Sequence, residues 1–250
     1  LPSVLVLGAQ RSGTTSLFSY LAPHPQVLTP LSKEVHYFDL HYARGPEWYR
    51  RWFPYRWRLR SGALTIDASP YYLAHPLAPR RAAHLLPQAK LIALLRNPVD
   101  RAFSHHQHEM RGGRETLSFA EAVEREQERL TGEEERLECD PDYYSFAHHR
   151  FSYVCRGLYL QQLRRWTQHF PRSQLLVLQS EWMFRDPAAA MAVVQDFVGL
   201  EHHRLADYKP FYGGRYEGEM PAAMRARLAA HFEPHNAALF RWLGEEFDWT

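Results

Sequence analysis

Val4-Leu5-Val6-Leu7-Gly8-Ala9-Gln10-Arg11-Ser12-Gly13-Thr14-Thr15-Ser16-Leu17-Phe18-Ser19-Tyr20-Leu21 is the stretch that decides the fold. Four consecutive apolar residues ended by a glycine suit a strand buried on both faces. A turn of small residues follows, and Ser16 to Leu21 has helical spacing that stops near Pro23. Strand, glycine turn and helix open a βαβ unit. Further apolar runs lie at Lys90 to Leu95, before Arg96-Asn97-Pro98, and at Leu175 to Leu178, before a helical pattern from Pro187 to Val198. A weaker strand, Ala63 to Asp67, runs into Ala68-Ser69-Pro70. Strands alternating with helices predict an α/β fold of the P-loop type, a parallel β-sheet flanked by helices on both faces. Ligands of such sheets lie beyond the carboxyl ends of the strands.

Length and composition narrow the rest. The 250 residues, 45% hydrophobic and 23% charged, can build a full core without disulfides, and no linker or repeat interrupts them. A single domain over 1–250 is expected. Segment 119–138 reads as a solvated helix braced by Glu121, Arg125 and Arg129 four apart. A net charge of +2 disfavours a nucleic-acid partner bound by bulk charge. The 30 cations comprise 27 arginines and three lysines, Lys33, Lys90 and Lys209. Arginine grips phosphate or sulfate with a planar fork, although a general bias toward Arg explains most of them. Cys139 and Cys155 read as free thiols, and no apolar stretch approaches the length of a membrane span. With no signal-peptide layout and no Asn-X-Ser/Thr site, the cytoplasm is the expected compartment, with the Golgi lumen as the alternative for a trimmed domain.

Two elements carry anion chemistry. Gly8 and Gly13 have the spacing of a phosphate loop between strand and helix, where backbone N–H groups and the helix N-terminus converge. The lysine that serves the β and γ phosphates of a triphosphate is replaced by Thr14, which argues against a kinase or ATPase. Arg11 supplies a cation inside the loop instead. Arg96, at the end of a strand, and Ser104, two turns into the following helix, suggest a second anion site. Two such elements without the lysine imply a donor with two separate phosphate groups.

The loop Gln10-Arg11-Ser12-Gly13-Thr14-Thr15, the segment Arg96-Asn97-Pro98 with Ser104, the cluster Glu34-Val35-His36-Tyr37-Phe38-Asp39 and the closing Phe247-Asp248-Trp249 together resemble the sulfotransferases that use 3'-phosphoadenosine 5'-phosphosulfate (PAPS). The likeness is to the carbohydrate branch, the heparan sulfate 3-O-sulfotransferases and N-sulfotransferases. It implies that PAPS is the co-substrate, PAP the product, and no metal is needed. It assigns the 5'-phosphosulfate to Arg11–Thr15 and the 3'-phosphate to Arg96 and Ser104. Lys209-Pro210-Phe211-Tyr212-Gly213-Gly214-Arg215 resembles the nucleotide-covering loop, so Tyr212, Gly213, Gly214 and Arg215 join the expected donor site.

The resemblance makes Glu34 the base for an acceptor hydroxyl, a role that burial would favour by raising its pKa. His36 and Asp39 support it; His36 as the base itself, and Glu34 as a mere partner of Lys33, stay open. Where the heparan sulfate enzymes carry a lysine after the strand-end acid, this chain has Ala68 after Asp67. Arg11 or Lys33 would then supply that charge. Arg156-Gly157-Leu158-Tyr159 also matches a family stretch, as packing or as 3'-phosphate support. Arg44, Arg50, Arg51, Arg56, Arg58 and Arg60, interleaved with Trp48, Tyr49, Trp52, Phe53, Tyr55 and Trp57, point to an anionic glycan acceptor or to a packed aromatic cluster. A small-molecule or lipid hydroxyl, and a silent nucleotide- or glycan-binding module, are the competing functions.

Overall fold

A computed structural model describes residues 1–54, 62–211 and 218–249. In chain order its main elements are β1 (Val4–Gly8), α1 (Thr14–Leu21), β2 (Val27–Leu28), α2 (Gly45–Arg50), β3 (Leu64–Ala68), α3 (Ala78–Leu85), β4 (Lys90–Leu95), α4 (Pro98–Arg111), α5 (Phe119–Glu124), α6 (Glu126–Leu130), α7 (Glu133–Cys139), α8 (Phe146–Arg150), α9 (Tyr159–Thr167), β5 (Leu175–Gln179), α10 (Ser180–Arg185), α11 (Pro187–Val198) and α12 (Ala222–Leu243). The chain divides into two compact units, Leu1–Leu95 with Arg165–Gly213, and Arg96–Arg164 with Gly214–Thr250.

The first unit holds a parallel sheet in the order β2-β3-β1-β4-β5. All five residues of β1 are buried, which is why its sequence is uninterrupted rather than alternating. Val4 and Val6 turn to a core built with Leu17 and Leu21 of α1, Met183 of α10 and Met191 and Val194 of α11. Leu5 and Leu7, on the opposite face, are equally inaccessible. Each such side chain contributes about 1.5–3 kcal/mol by burial. The expected helix from Pro187 to Val198 forms over those residues, with Asp186 accepting a bond from the Ala189 N–H (3.1 Å) at its start. No local pattern marks β2, whose two residues pair with Leu64 and Thr65.

The second unit packs α4, α5 and α12 around Val99, Phe103, Phe119, Tyr153, Leu228 and Phe232. Asn97 caps α4 by accepting from the Val99 N–H (3.0 Å), and Pro98 needs no donor at the first position. The single solvated helix expected over 119–138 is instead three short helices. Gly132 adopts a left-handed conformation before α7, and Glu126 turns inward to accept the backbone N–H groups of Val154 (2.7 Å) and Cys155 (2.8 Å). Burial pushes the Glu126 carboxyl up to about 7 although both N–H groups act to lower it. Periodicity saw a charged face where the structure uses one carboxylate to tie down a loop.

The carboxyl ends of β1 and β3 are drawn together. Leu5 pairs with Asp67 and Val6 with Ala68, and the Leu73 N–H bonds to the Leu7 carbonyl (2.8 Å). A Cβ on Gly8, whose φ is +149°, would lie 2.7 Å from the Pro70 carbonyl oxygen, a backbone atom that cannot swing aside. Gly8→Ala is therefore expected to lower stability by about 1–3 kcal/mol, read as a fall in the urea midpoint at unchanged slope; an unchanged midpoint would contradict this close approach.

Candidate active site

The loop between β1 and α1 is shaped to receive an anion. Arg11 (φ 70°) and Gly13 (φ 94°) both take left-handed backbone, and Gly13 caps α1 without a side-chain bond to its N–H groups. A side chain on Gly13 would meet the Phe184 ring at 2.7 Å, so α10 closes on this turn. Ser180 at the start of α10 donates to the Ser12 carbonyl (2.7 Å), and the Ser12 N–H bonds to the Ala9 carbonyl (3.2 Å). Ser12 is fully buried, yet its hydroxyl has no hydrogen-bond partner. An orphaned buried hydroxyl at an uncapped helix start fits a phosphate or sulfonyl oxygen. Thr14 is buried beside it, while Gln10, Arg11 and Thr15 are partly exposed.

The second loop runs from Lys33 to Asp39 and alternates in charge. Lys33 Nζ pairs with Glu34 Oε1, Glu34 Oε2 lies 3.6 Å from His36 Nε2, and His36 Nδ1 bonds Asp39 Oδ2 at 2.8 Å. Asp39 also accepts the Leu40 N–H at 2.7 Å. Burial disfavours charge on His36, but Asp39 and then Glu34 outweigh it and raise the imidazolium pKa to about 10. Burial likewise pushes Glu34 up, but His36 and Lys33 overcome it and hold the carboxyl at about 2. The direction is opposite to the one the sequence led us to expect, because the cations were not weighed against burial. At neutral pH Glu34 is thus a carboxylate and His36 an imidazolium, set between Lys33 and Asp39. A protonated His36 has no lone pair to accept a proton, so in this state Glu34 is the base of the pair. The Glu34 side chain is 43% exposed, open to an incoming hydroxyl.

Glu34 (φ 63°) and His36 (φ 53°) hold left-handed backbone that costs an ordinary residue about 1–2 kcal/mol each. What holds them is a set of residues that the motif reading did not single out. Asp67, fully buried at the end of β3, accepts from Ser69 Oγ (2.9 Å) on one oxygen and from the Tyr49 (2.7 Å) and Tyr72 (2.8 Å) hydroxyls on the other. Ser69 Oγ in turn accepts the His36 N–H (3.0 Å), and the Tyr72 hydroxyl accepts the Tyr37 N–H (2.8 Å). Arg81 donates to the Phe38 carbonyl at 2.9 Å. The strand-end position of Asp67 was a signal; its partners at 49 and 72 carried none.

Other sequence-derived sites divide. Ala68 is fully buried in the apolar cluster with Val6 and Ile66, so a lysine there would enter the core. Within the aromatic and basic stretch, Tyr49 and Phe53 are core, Trp48 and Trp52 are half-buried with rings 5.5 Å apart, and Arg50 pairs with Glu47. Tyr55, Arg56, Trp57, Arg58 and Arg60 lie outside the described residues, as do Tyr212, Gly213, Gly214 and Arg215. The Phe211 N–H bonds Ser16 Oγ (3.1 Å), which brings the start of that covering segment onto α1.

In the second unit Arg96 is partly exposed and Ser104 buried. The Arg96 carbonyl accepts from the Tyr159 hydroxyl (2.8 Å), and Asn97 donates to the Trp249 carbonyl (3.3 Å), so the closing Phe247-Asp248-Trp249 braces the segment around Arg96. Arg156 is buried and donates to the His148 and His149 carbonyls, both at 2.8 Å, and Gly157 leaves no room for a Cβ against Phe232 and Pro98. Arg156 and Gly157 thus both take part in packing this unit.

Comparison with known proteins agrees in sequence and in fold. Residues 1–209 match the family described as "Sulfotransferase domain". Heparan sulfate glucosamine 3-O-sulfotransferase 6 of Mus musculus is 31% identical over 99% of this chain and 73% of its own length. The bifunctional heparan sulfate N-deacetylase/N-sulfotransferase 1 of Mus musculus is 30% identical over 97% of this chain, which spans 29% of that protein. The crystal structure of a sulfotransferase from Alicyclobacillus acidocaldarius superposes with a TM-score of 0.78 at 31% identity, covering 100% of this chain and 98% of the other. Sequence and fold thus converge on one conclusion, that this chain belongs to the sulfotransferase family and is an enzyme of that class.

Proposed function

We propose that this sulfotransferase moves the sulfuryl group of PAPS to a hydroxyl, or an amine, of a carbohydrate acceptor, with Glu34 as the base. PAPS is the donor of the family, and it supplies an activated sulfur joined through oxygen to a phosphate that leaves as PAP. Relatives named for glucosamine in heparan sulfate support a glycan acceptor. The observation that carries the reading is the partly exposed Glu34 carboxylate, held between two cations on a loop hydrogen-bonded to the turn that meets the anion-shaped β1–α1 loop.

In the proposed reaction the Ser12 hydroxyl and the N–H groups at the start of α1 hold the 5'-phosphosulfate, with Arg11 drawing charge from the sulfonyl oxygens. The resemblance assigns the 3'-phosphate to Arg96 and Ser104. The acceptor oxygen attacks sulfur in line as the bond to the 5'-phosphate oxygen breaks, and the acceptor proton passes to Glu34. A carboxylate of pKa about 2 is a weak base while Lys33 pairs with it. When Lys33 turns to the negative donor, Glu34 regains basicity where the proton is released. Lys33 thereby supplies the cation that position 68 lacks, and His36, fixed by Asp39, orients Glu34. We propose the cytoplasm as the compartment.

Three measurements test this reading. Glu34→Gln is expected to lower turnover with PAPS and heparan sulfate by about 10²–10⁴-fold while calorimetric PAP affinity stays within about threefold; retained turnover would remove Glu34 from the chemistry. Lys33→Ala is expected to lower turnover at saturating PAPS by about 10²-fold, the loss typical of one charge-stabilising donor. Unchanged turnover would assign the cation to Arg11 alone. Because Glu34 is ionised above about pH 2 and His36 stays protonated up to about 10, kcat/KM should show no inflection from this pair between about pH 5 and 8. An inflection in that window that disappears in Glu34→Gln would contradict the charge assignment.

A further inference from the structure

The proposed base stands on a loop whose backbone is tied to the sheet by two hydroxyls, and both hydroxyls depend on one carboxylate. Asp67, the penultimate residue of β3, is fully buried, and among the described residues no cation bonds to it. Among those residues its three side-chain donors are all hydroxyls. A carboxylate can accept all three bonds; burial raises the Asp67 pKa, and the bonds from Tyr49, Tyr72 and Ser69 act to lower it. The Tyr49 and Tyr72 phenols are neutral donors, since burial and then the Asp67 charge push their pKa values well above the ordinary range. Each hydroxyl has one proton to give. With the proton of Ser69 and that of Tyr72 both committed to Asp67, their lone pairs turn outward and receive the N–H groups of His36 and Tyr37. The carboxylate thus sets the direction of both bonds.

The structure assigns Asp67 a positioning role in this enzyme: through Ser69 and Tyr72 it polarises two hydroxyls that clamp the His36 and Tyr37 N–H groups and so fix the aim of the Glu34 carboxylate and the His36 ring. The assignment rests on the reading of Glu34 as the base. Asp67 touches no substrate in this scheme. Tyr49 belongs to the same device: its ring stacks on Tyr37 at 4.3 Å between centroids while its hydroxyl holds the second Asp67 oxygen. Part of the aromatic stretch after the loop therefore serves the base rather than the acceptor.

The test compares Asp67→Asn, Ser69→Ala and Tyr72→Phe with Ser69→Thr in the full chain. Titration of the His36 ring by NMR reads the loop without any acceptor, because its pKa of about 10 depends on the placement of Asp39 and Glu34. In variants that still melt cooperatively and bind PAP within about threefold of the wild type, the His36 pKa should fall toward the ordinary value. With heparan sulfate as acceptor, kcat should drop by about 10- to 100-fold at unchanged KM for PAPS. Ser69→Thr, which keeps the hydroxyl, should retain both properties. A wild-type His36 titration in the folded variants would overturn the positioning role whatever the activity does. A lowered His36 pKa with unchanged kcat would instead support the positioning role and count against Glu34 as the base, so the two claims fail separately.

Discussion

A buried carboxylate held by hydroxyls organises this enzyme. Burying a charge is costly unless hydrogen bonds replace the lost water, and among the described residues Asp67 accepts three from side chains, all from hydroxyls within its own unit. The result joins two levels of structure. Along the sheet, Asp67 sits opposite Leu5 in the parallel register of β1 and β3. Across the loops, its hydroxyl partners hold the backbone of His36 and Tyr37. The same sheet end brings Pro70 so close to Gly8 that no side chain fits between them. The anion loop and the charged loop are therefore anchored to one turn.

The charges on the second loop bear on how a strongly acidic carboxyl would serve as the proposed base. Lys33, Glu34, His36 and Asp39 alternate in sign, so the free enzyme stores two cations and two anions in a nearly neutral array. In the proposed reaction a negative donor would compete with Glu34 for Lys33, and the basicity of Glu34 would rise as that competition succeeds. In a chain with three lysines among 30 cations, one stands beside the proposed base. A flexible point charge that can change partners suits this task better than the rigid fork of arginine.

The sequence was most legible where local chemistry dictates local structure. The uninterrupted run Val4–Leu7, the glycines at 8 and 13 and the Asn97-Pro98 helix start all have physical signatures within a few residues, and the fold they predicted is the one found. Elements that depend on distant partners were not legible. The strand β2 is two residues long and exists because β3 lies beside it. Glu126 looks like one more surface acid until the loop at 154–155 supplies its donors. The low pKa of Glu34 was misjudged because the closeness of His36 Nε2 follows from left-handed backbone at 34 and 36, a conformation no propensity favours. Tyr49, one of the aromatics that read either as acceptor contacts or as a packed cluster, is core, and its hydroxyl serves an acid 18 residues away.

The central claim is transfer of a sulfuryl group from PAPS to a carbohydrate. The most direct measurement incubates the enzyme with PAPS labelled in the sulfuryl group and parallel acceptors: heparan sulfate, a simple phenol and a lipid alcohol. Label on the polysaccharide, with stoichiometric release of PAP, is the predicted result. Label confined to the phenol or the lipid, or PAP binding without transfer to any carbohydrate, would contradict the account.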